Sequence, residues 1–186
     1  RHSSSAASDV YKRQVKMFED SVKDWITNFL SKQSPAFNDL PPCPFAKQAL
    51  IDNKIVFHYI EPIYHLTIAE YFKAELENYS YHWPKNKEVV VLGCVPNLIT
   101  SDELSDTVEY CNEKFLDARG YIALEDHPNE KETVLDVCVN QGKYALVLLQ
   151  EKLKLSKARR ILKKQNYYKY WTDDYYSQVI TYDNTD

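Results

Sequence analysis

The residues best able to do chemistry in this chain are Cys43 and the run Glu125-Asp126-His127-Pro128. Cys43 precedes Pro44, which suits the first turn of a helix because its missing N–H would have no partner there. A thiol at such a start faces unpaired backbone N–H groups and the positive end of the helix dipole, both of which favour the thiolate. A nearby histidine would strengthen that effect and serve as general base. His127 is the candidate base, with Asp126 or Glu125 to orient it. Successive residues point in different directions, so at most two of these three share one site. The same side chains are potential ligands for a single divalent transition metal. Plainer readings stand beside these: Cys43 as a small half-buried residue in a proline-rich elbow, and 125–128 as a polar strand exit stopped by Pro128.

Strands and helices must bring these residues together. KIVFHYI (54–60), EVVVLGCV (88–95) and YIAL (121–124) read as strands. Capping boxes at Thr67/Glu70 and Thr100/Glu103 open the helices between them, and Gly120 closes the second. Leu104, Val108, Cys111 and Phe115 recur on one face of that second helix. Two strand–helix–strand units in a row imply right-handed crossovers. The expected fold is α/β, a three- to four-stranded, mainly parallel sheet with flanking helices. In such sheets ligands gather beyond the carboxyl ends of the strands. There the first strand exits at Glu61–His65, the second at Pro96-Asn97 and the third at Glu125–Pro128. A short helix over 44–51, antiparallel to the first strand, brings Cys43 to the same edge. His65 and Asn97 are therefore candidate binding residues beside Cys43, His127, Asp126 and Glu125.

The flanks are less decided. A capping box at Ser21–Asp24 opens a helix with Val22, Trp25, Ile26, Phe29 and Leu30 on one face. The stretches 133–139 and 143–150 flank Asn140-Gln141-Gly142 as a hairpin would, or 143–150 already belongs to the next helix. A basic helix follows over 152–164, either a solvated face or a surface for a phosphate or an acidic partner. The tail carries Tyr167, Tyr168, Tyr170, Trp171, Tyr175 and Tyr176, as an aromatic strap over the core or a stacking surface.

The 186 residues provide for one domain with a core, and a net charge of −4 argues against a dedicated nucleic-acid binder. No apolar run is long enough to span a bilayer. Residues 1–16 read as a non-native or disordered leader, with a basic tail or transit peptide as alternatives, and 17–186 as a single α/β domain with a Tyr-rich tail. The leader holds Arg1, Lys12, Arg13 and Lys16 against Asp9, a net of +3, so the rest of the chain stands at −4 − 3 = −7. Four cysteines without a CxxC pair or zinc-finger spacing fit a reducing, cytoplasmic setting.

Two resemblances attach to these motifs. CPFAKQALIDNKIVFHYIE resembles the start of a glutaredoxin or glutathione-transferase domain, where C-P-F/Y opens a helix leading to a strand; Ala46 stands where a resolving cysteine would be. More broadly, Trp25, Cys43 through Ala46, and His127-Pro128 resemble a small uncharacterised bacterial family. That family is marked by a Trp-led helix, an L-C-P-F-A motif and a later H-P pair. KLSKARRIL and NYYKYW are similar to hypothetical proteins of marine microbes and their phages. The family resemblance implies a pairing of Cys43 with His127 and no particular activity. Three functions follow as expectations: a thiol enzyme using Cys43 with His127, a mononuclear metal protein at the same edge, and a non-catalytic module holding a protein partner through the basic helix or the tyrosine tail. No cofactor, substrate or particular partner follows from the sequence.

Overall fold

The computed structural model describes residues 3–62 and 65–180. The three expected strands form as β1 (Ile55–Tyr59), β2 (Val89–Cys94) and β3 (Tyr121–Asp126). They are joined by α3 (Ile68–Tyr81) and α4 (Ser101–Cys111). Both helices open on the expected capping boxes, with Thr67 paired to Glu70 and Thr100 to Glu103. Before them come α1 (Ser3–Trp25) and α2 (Ala46–Ile51). After them come a small ribbon of β4 (Thr133–Val134) and β5 (Val137–Cys138), then β6 (Ala145–Glu151), α5 (Lys152–Lys164) and α6 (Asp173–Ile180).

The main sheet has the order β1-β2-β6-β3. β1 and β2 pair in parallel, with Phe57 beside Val91. β6 lies between β2 and β3, antiparallel to both, so that Leu148 faces Val91 on one side and Leu124 on the other. The sheet is therefore mixed, with one parallel and two antiparallel pairs, and not mainly parallel as expected. β1, β2 and β3 still share a direction, but the second crossover steps over β6. The cause lies in residues 145–149, an apolar run without alternation, as a strand covered on both faces requires. That run is neither a helix nor the second arm of a hairpin with 133–139. Instead β4 and β5 pair with each other, Thr133 opposite Cys138 and Val134 opposite Val137.

Each sheet face has its own core. Val90, Leu92, Cys94, Val147 and Leu149 pack against Phe72 and Leu76 of α3 and Leu104 and Val108 of α4. On the other face Phe18, Val22 and Ile26 pack on Ile55, Tyr59, Val91 and Leu146. Gly93 makes room for this second layer, since a Cβ there would lie 2.5 Å from the Phe18 ring. The helix expected to open at Ser21 is already under way at Ser3. Most of residues 1–16 are therefore helical, and Val15 packs with the second core. Ser21, not a cap, accepts a hydrogen bond from Gln141 Nε2 at 2.8 Å.

α4 runs into a π-helical turn, Asn112–Leu116, before Gly120 ends it in the left-handed region at φ 81°. The extra residue of such a turn shifts the helix phase. Leu116 is fully buried as a result, and Phe115, on the expected stripe, is only half-buried. A third, smaller cluster gathers Phe37, Val134, Leu162 and Tyr167, with Tyr168, Trp171 and Tyr175 around them. These tail aromatics form a strap over the proline-rich loop and not, as expected, over the main core, and the Tyr167 and Tyr175 hydroxyls bond to Pro42 O and Glu132. Among the described residues no helix is long and apolar enough to cross a membrane.

Candidate functional site

Cys43 sits in the elbow between the first helical segment and α2. Its N–H donates to Leu30 O at 2.9 Å, and its carbonyl accepts from Ala46 N at 3.2 Å. The first α-helical residue is Ala46 and the N-cap is Phe45, so Cys43 lies two residues before the cap of a six-residue helix. Backbone N–H groups of Phe45 and Ala46 reach the thiol and favour its ionisation, but burial outweighs them and raises its pKa. The expected thiolate does not follow from this setting. Tyr167 covers the elbow, its hydroxyl donating to Pro42 O.

His127 is 3% exposed, and both ring nitrogens are committed to backbone. Nδ1 accepts from Asn129 N at 3.2 Å. Nε2 must then carry the proton, which it shares between Ile99 O at 3.1 Å and Pro96 O at 3.3 Å. A neutral imidazole locked in one tautomer ties the end of β3 to the loop after β2. No hydrogen bond joins it to Cys43 among the described residues, so the two groups act separately. Asn97, between the carbonyls that His127 holds, is exposed, and so is His65. Residues 63–64, part of the first strand's expected exit, lie outside the described residues.

The two carboxylates point to opposite faces, as neighbours on a strand must. Glu125 turns toward α4 and accepts from Ser105 Oγ at 3.2 Å. Asp126 turns the other way and accepts from Asn140 Nδ2 at 2.7 Å and Gln141 N at 2.8 Å. Sequence reasoning missed the hub that follows. Asn140 Oδ1 accepts from Glu132 N at 2.8 Å, and Gln141 Oε1 from Lys143 N at 2.8 Å and Tyr144 N at 3.0 Å. Glu132 in turn accepts from Tyr175 OH at 2.8 Å. Burial raises the pKa of Glu125, Asp126 and Glu132 alike. The only sequence signal was the Asn-Gln-Gly run, which reads as a turn whether or not its amides hold a buried acid. Among the described residues no three His, Cys, Asp or Glu side chains are grouped to hold a metal ion.

The thiols can be ranked directly. Cys138 is exposed, whereas burial pushes Cys94 up to about 12 and Cys111 up to about 11. With native protein at neutral pH, iodoacetamide is expected to modify Cys138 at least about tenfold faster than Cys43, because the thiolate is the reacting species. Peptide mapping of a time course checks this. Faster labelling at Cys43 would restore that residue as a reactive thiol.

A cluster of basic side chains lies elsewhere. A cleft of about 190 Å³ between α5 and α6 is lined by Ser156, Arg159, Arg160, Lys163, Tyr168 and Tyr176, with Ile180 at its end. Arg159 and Ser156 are buried, at 6% and 5% exposure. Lys163 Nζ lies 5.7 Å from the centre of the Tyr176 ring. Of the seven basic residues in α5, Lys152 pairs with Asp117 and Lys154 with Glu151. Lys157, Arg160, Lys163 and Lys164 meet no carboxylate among the described residues. Compared with known protein families, curated proteins and solved structures, the chain matches none.

Proposed function

We propose that the protein is a non-catalytic binding module that holds an acidic segment of a protein partner in the cleft between α5 and α6. One observation carries this reading: Arg160 and Lys163 line a single cleft with two tyrosines and, among the described residues, no carboxylate. In a chain of net charge −4 this is a local concentration of positive charge, which attracts and orients anions. The size of the cleft points the same way. Pockets for drug-sized ligands run to roughly 300–1,000 Å³, so about 190 Å³ suits one or two side-chain groups and not a cofactor. Arg supports planar recognition of carboxylate, and tyrosine hydroxyls add hydrogen bonds. The thiol-enzyme and metal readings have no comparable support, because Cys43 and His127 are engaged separately.

Fluorescence anisotropy with a labelled oligoglutamate peptide tests the proposal. Binding is expected at low ionic strength and loss of binding near 1 M salt, where the screening length falls to about 3 Å. The double variant Arg160→Glu/Lys163→Glu is expected to bind roughly tenfold more weakly or worse, with an unchanged circular dichroism spectrum. Equal binding by the variant, no binding at low salt, or tighter binding of an RNA homopolymer of equal charge would overturn it.

A further inference from the structure

The two edges of the main sheet are treated differently. At β3 the outer backbone groups of Ala123 are taken by one side chain: Ala123 N donates to Asn112 Oδ1 and Asn112 Nδ2 donates to Ala123 O, both at 2.9 Å. Among the described residues no such device covers β1. Ile60 N bonds to Gly93 O and Glu88 N to Lys54 O, each at 2.8 Å, so even-numbered residues turn their backbone toward β2. The N–H and C=O groups of Ile55, Phe57 and Tyr59 therefore point outward, and no partner meets them among the described residues. An unpaired edge of this kind is a template for another strand. A groove of about 400 Å³ runs beside it, lined by Leu50, Asn53, Ile55, Val56 and Phe57 with charged side chains at its rim.

The geometry points to a second copy of this chain as the occupant, its β1 pairing antiparallel with this β1 about a twofold axis at Phe57. The outward-facing residues are 55, 57 and 59, so this axis sets 57 opposite 57 and 55 opposite 59. Every one of these is a hydrogen-bonded pair, and each pair exchanges two N–H···O bonds. The ends also match in charge. The same register sets Asn53 opposite Glu61 of the other copy, and Lys87 Nζ already sits on Asn53, 2.7 Å from its carbonyl and 3.1 Å from Oδ1. Lys87 of each copy thus approaches Glu61 of the other, twice by symmetry. Ile51, 65% exposed beside Leu50, extends the apolar surface. The strand is bounded by Asn53, at φ 53°, and by Pro62, which has no N–H, so the pairing stays short. An isologous contact uses the edge once and closes, and Asn112 blocks the alternative of β1 adding to β3 of a neighbour in an open chain.

Sedimentation velocity of the full chain over a concentration series tests this. The expected result is a reversible dimer. Glu61→Lys, which sets two cations against each other, should raise its dissociation constant about tenfold or more, and adding Lys87→Glu to that variant should restore it. Phe57→Pro removes an outward N–H that β2 does not use and should leave a folded monomer. A wild-type monomer at all concentrations would overturn the inference. So would a dimer indifferent to Glu61→Lys, or one that the double variant fails to restore.

Discussion

Asn112→Ala is expected to destabilise the protein by about 2–6 kcal/mol, because it leaves two buried backbone groups of Ala123 without partners, at roughly 1–3 kcal/mol each. Asn112 is 2% exposed, and its amide lies against the edge of β3 as a neighbouring strand would. Its position depends on the π-helical turn that begins there. Asn112→Asp keeps the acceptor for Ala123 N but sets a carboxylate against Ala123 O, so its cost should be no smaller. Asn97→Ala is the control: that residue is exposed and should change stability by less than about 0.5 kcal/mol. Urea unfolding followed by circular dichroism measures all three. The variant should also aggregate more readily, since β3 would become a second bare edge. A loss below about 1 kcal/mol would mean that Ala123 is not held as described.

What the sequence made legible follows the physics that acts locally. The capping boxes at Thr67 and Thr100 formed because their partners are three residues away, and β1 and β2 formed where continuous β-branched runs stand. β6 was ambiguous for the opposite reason: Ala145–Leu149 is apolar on both faces, so no periodicity separates a central strand from a buried helix. Its place between β2 and β3 is a tertiary choice that propensity does not encode. The start of α1 was missed because residues before Val15 carry no apolar period. Of the candidate site, topology was right that His127 ends a strand near the loop after β2. It was silent on which atoms would be satisfied. That depends on Asn129, Asn140 and Gln141, polar residues whose partners are fixed by loop geometry.

Asp126 holds that loop geometry together, and its removal carries the other large expected effect. Its two oxygens accept from Asn140 Nδ2 and Gln141 N. Asn140 in turn accepts from Glu132 N, and Gln141 ties the connection to Ser21 of α1. Asp126→Ala should therefore cost about 2–4 kcal/mol, since both donors lose a buried acceptor. The cost should depend on pH with a definite sign. Burial raises the carboxyl of Asp126 above the ordinary value of about 4, outweighing the hydrogen bonds from Gln141 N–H and the Asn140 amide, which lower it. The folded state thus holds this proton more firmly than the unfolded chain does. The group's stabilising contribution is fully present below the unfolded pKa and declines as pH rises through the folded one. Glu125 and Glu132 are raised by burial too and contribute with the same sign. Comparing urea midpoints of wild type and Asp126→Ala at about pH 4.5 and pH 7.5 should show the larger loss at the lower pH. A loss that grows toward neutral pH would show that the bonds from Asn140 and Gln141 favour the charged carboxylate more than burial opposes it, and would reverse the sign assigned to Asp126.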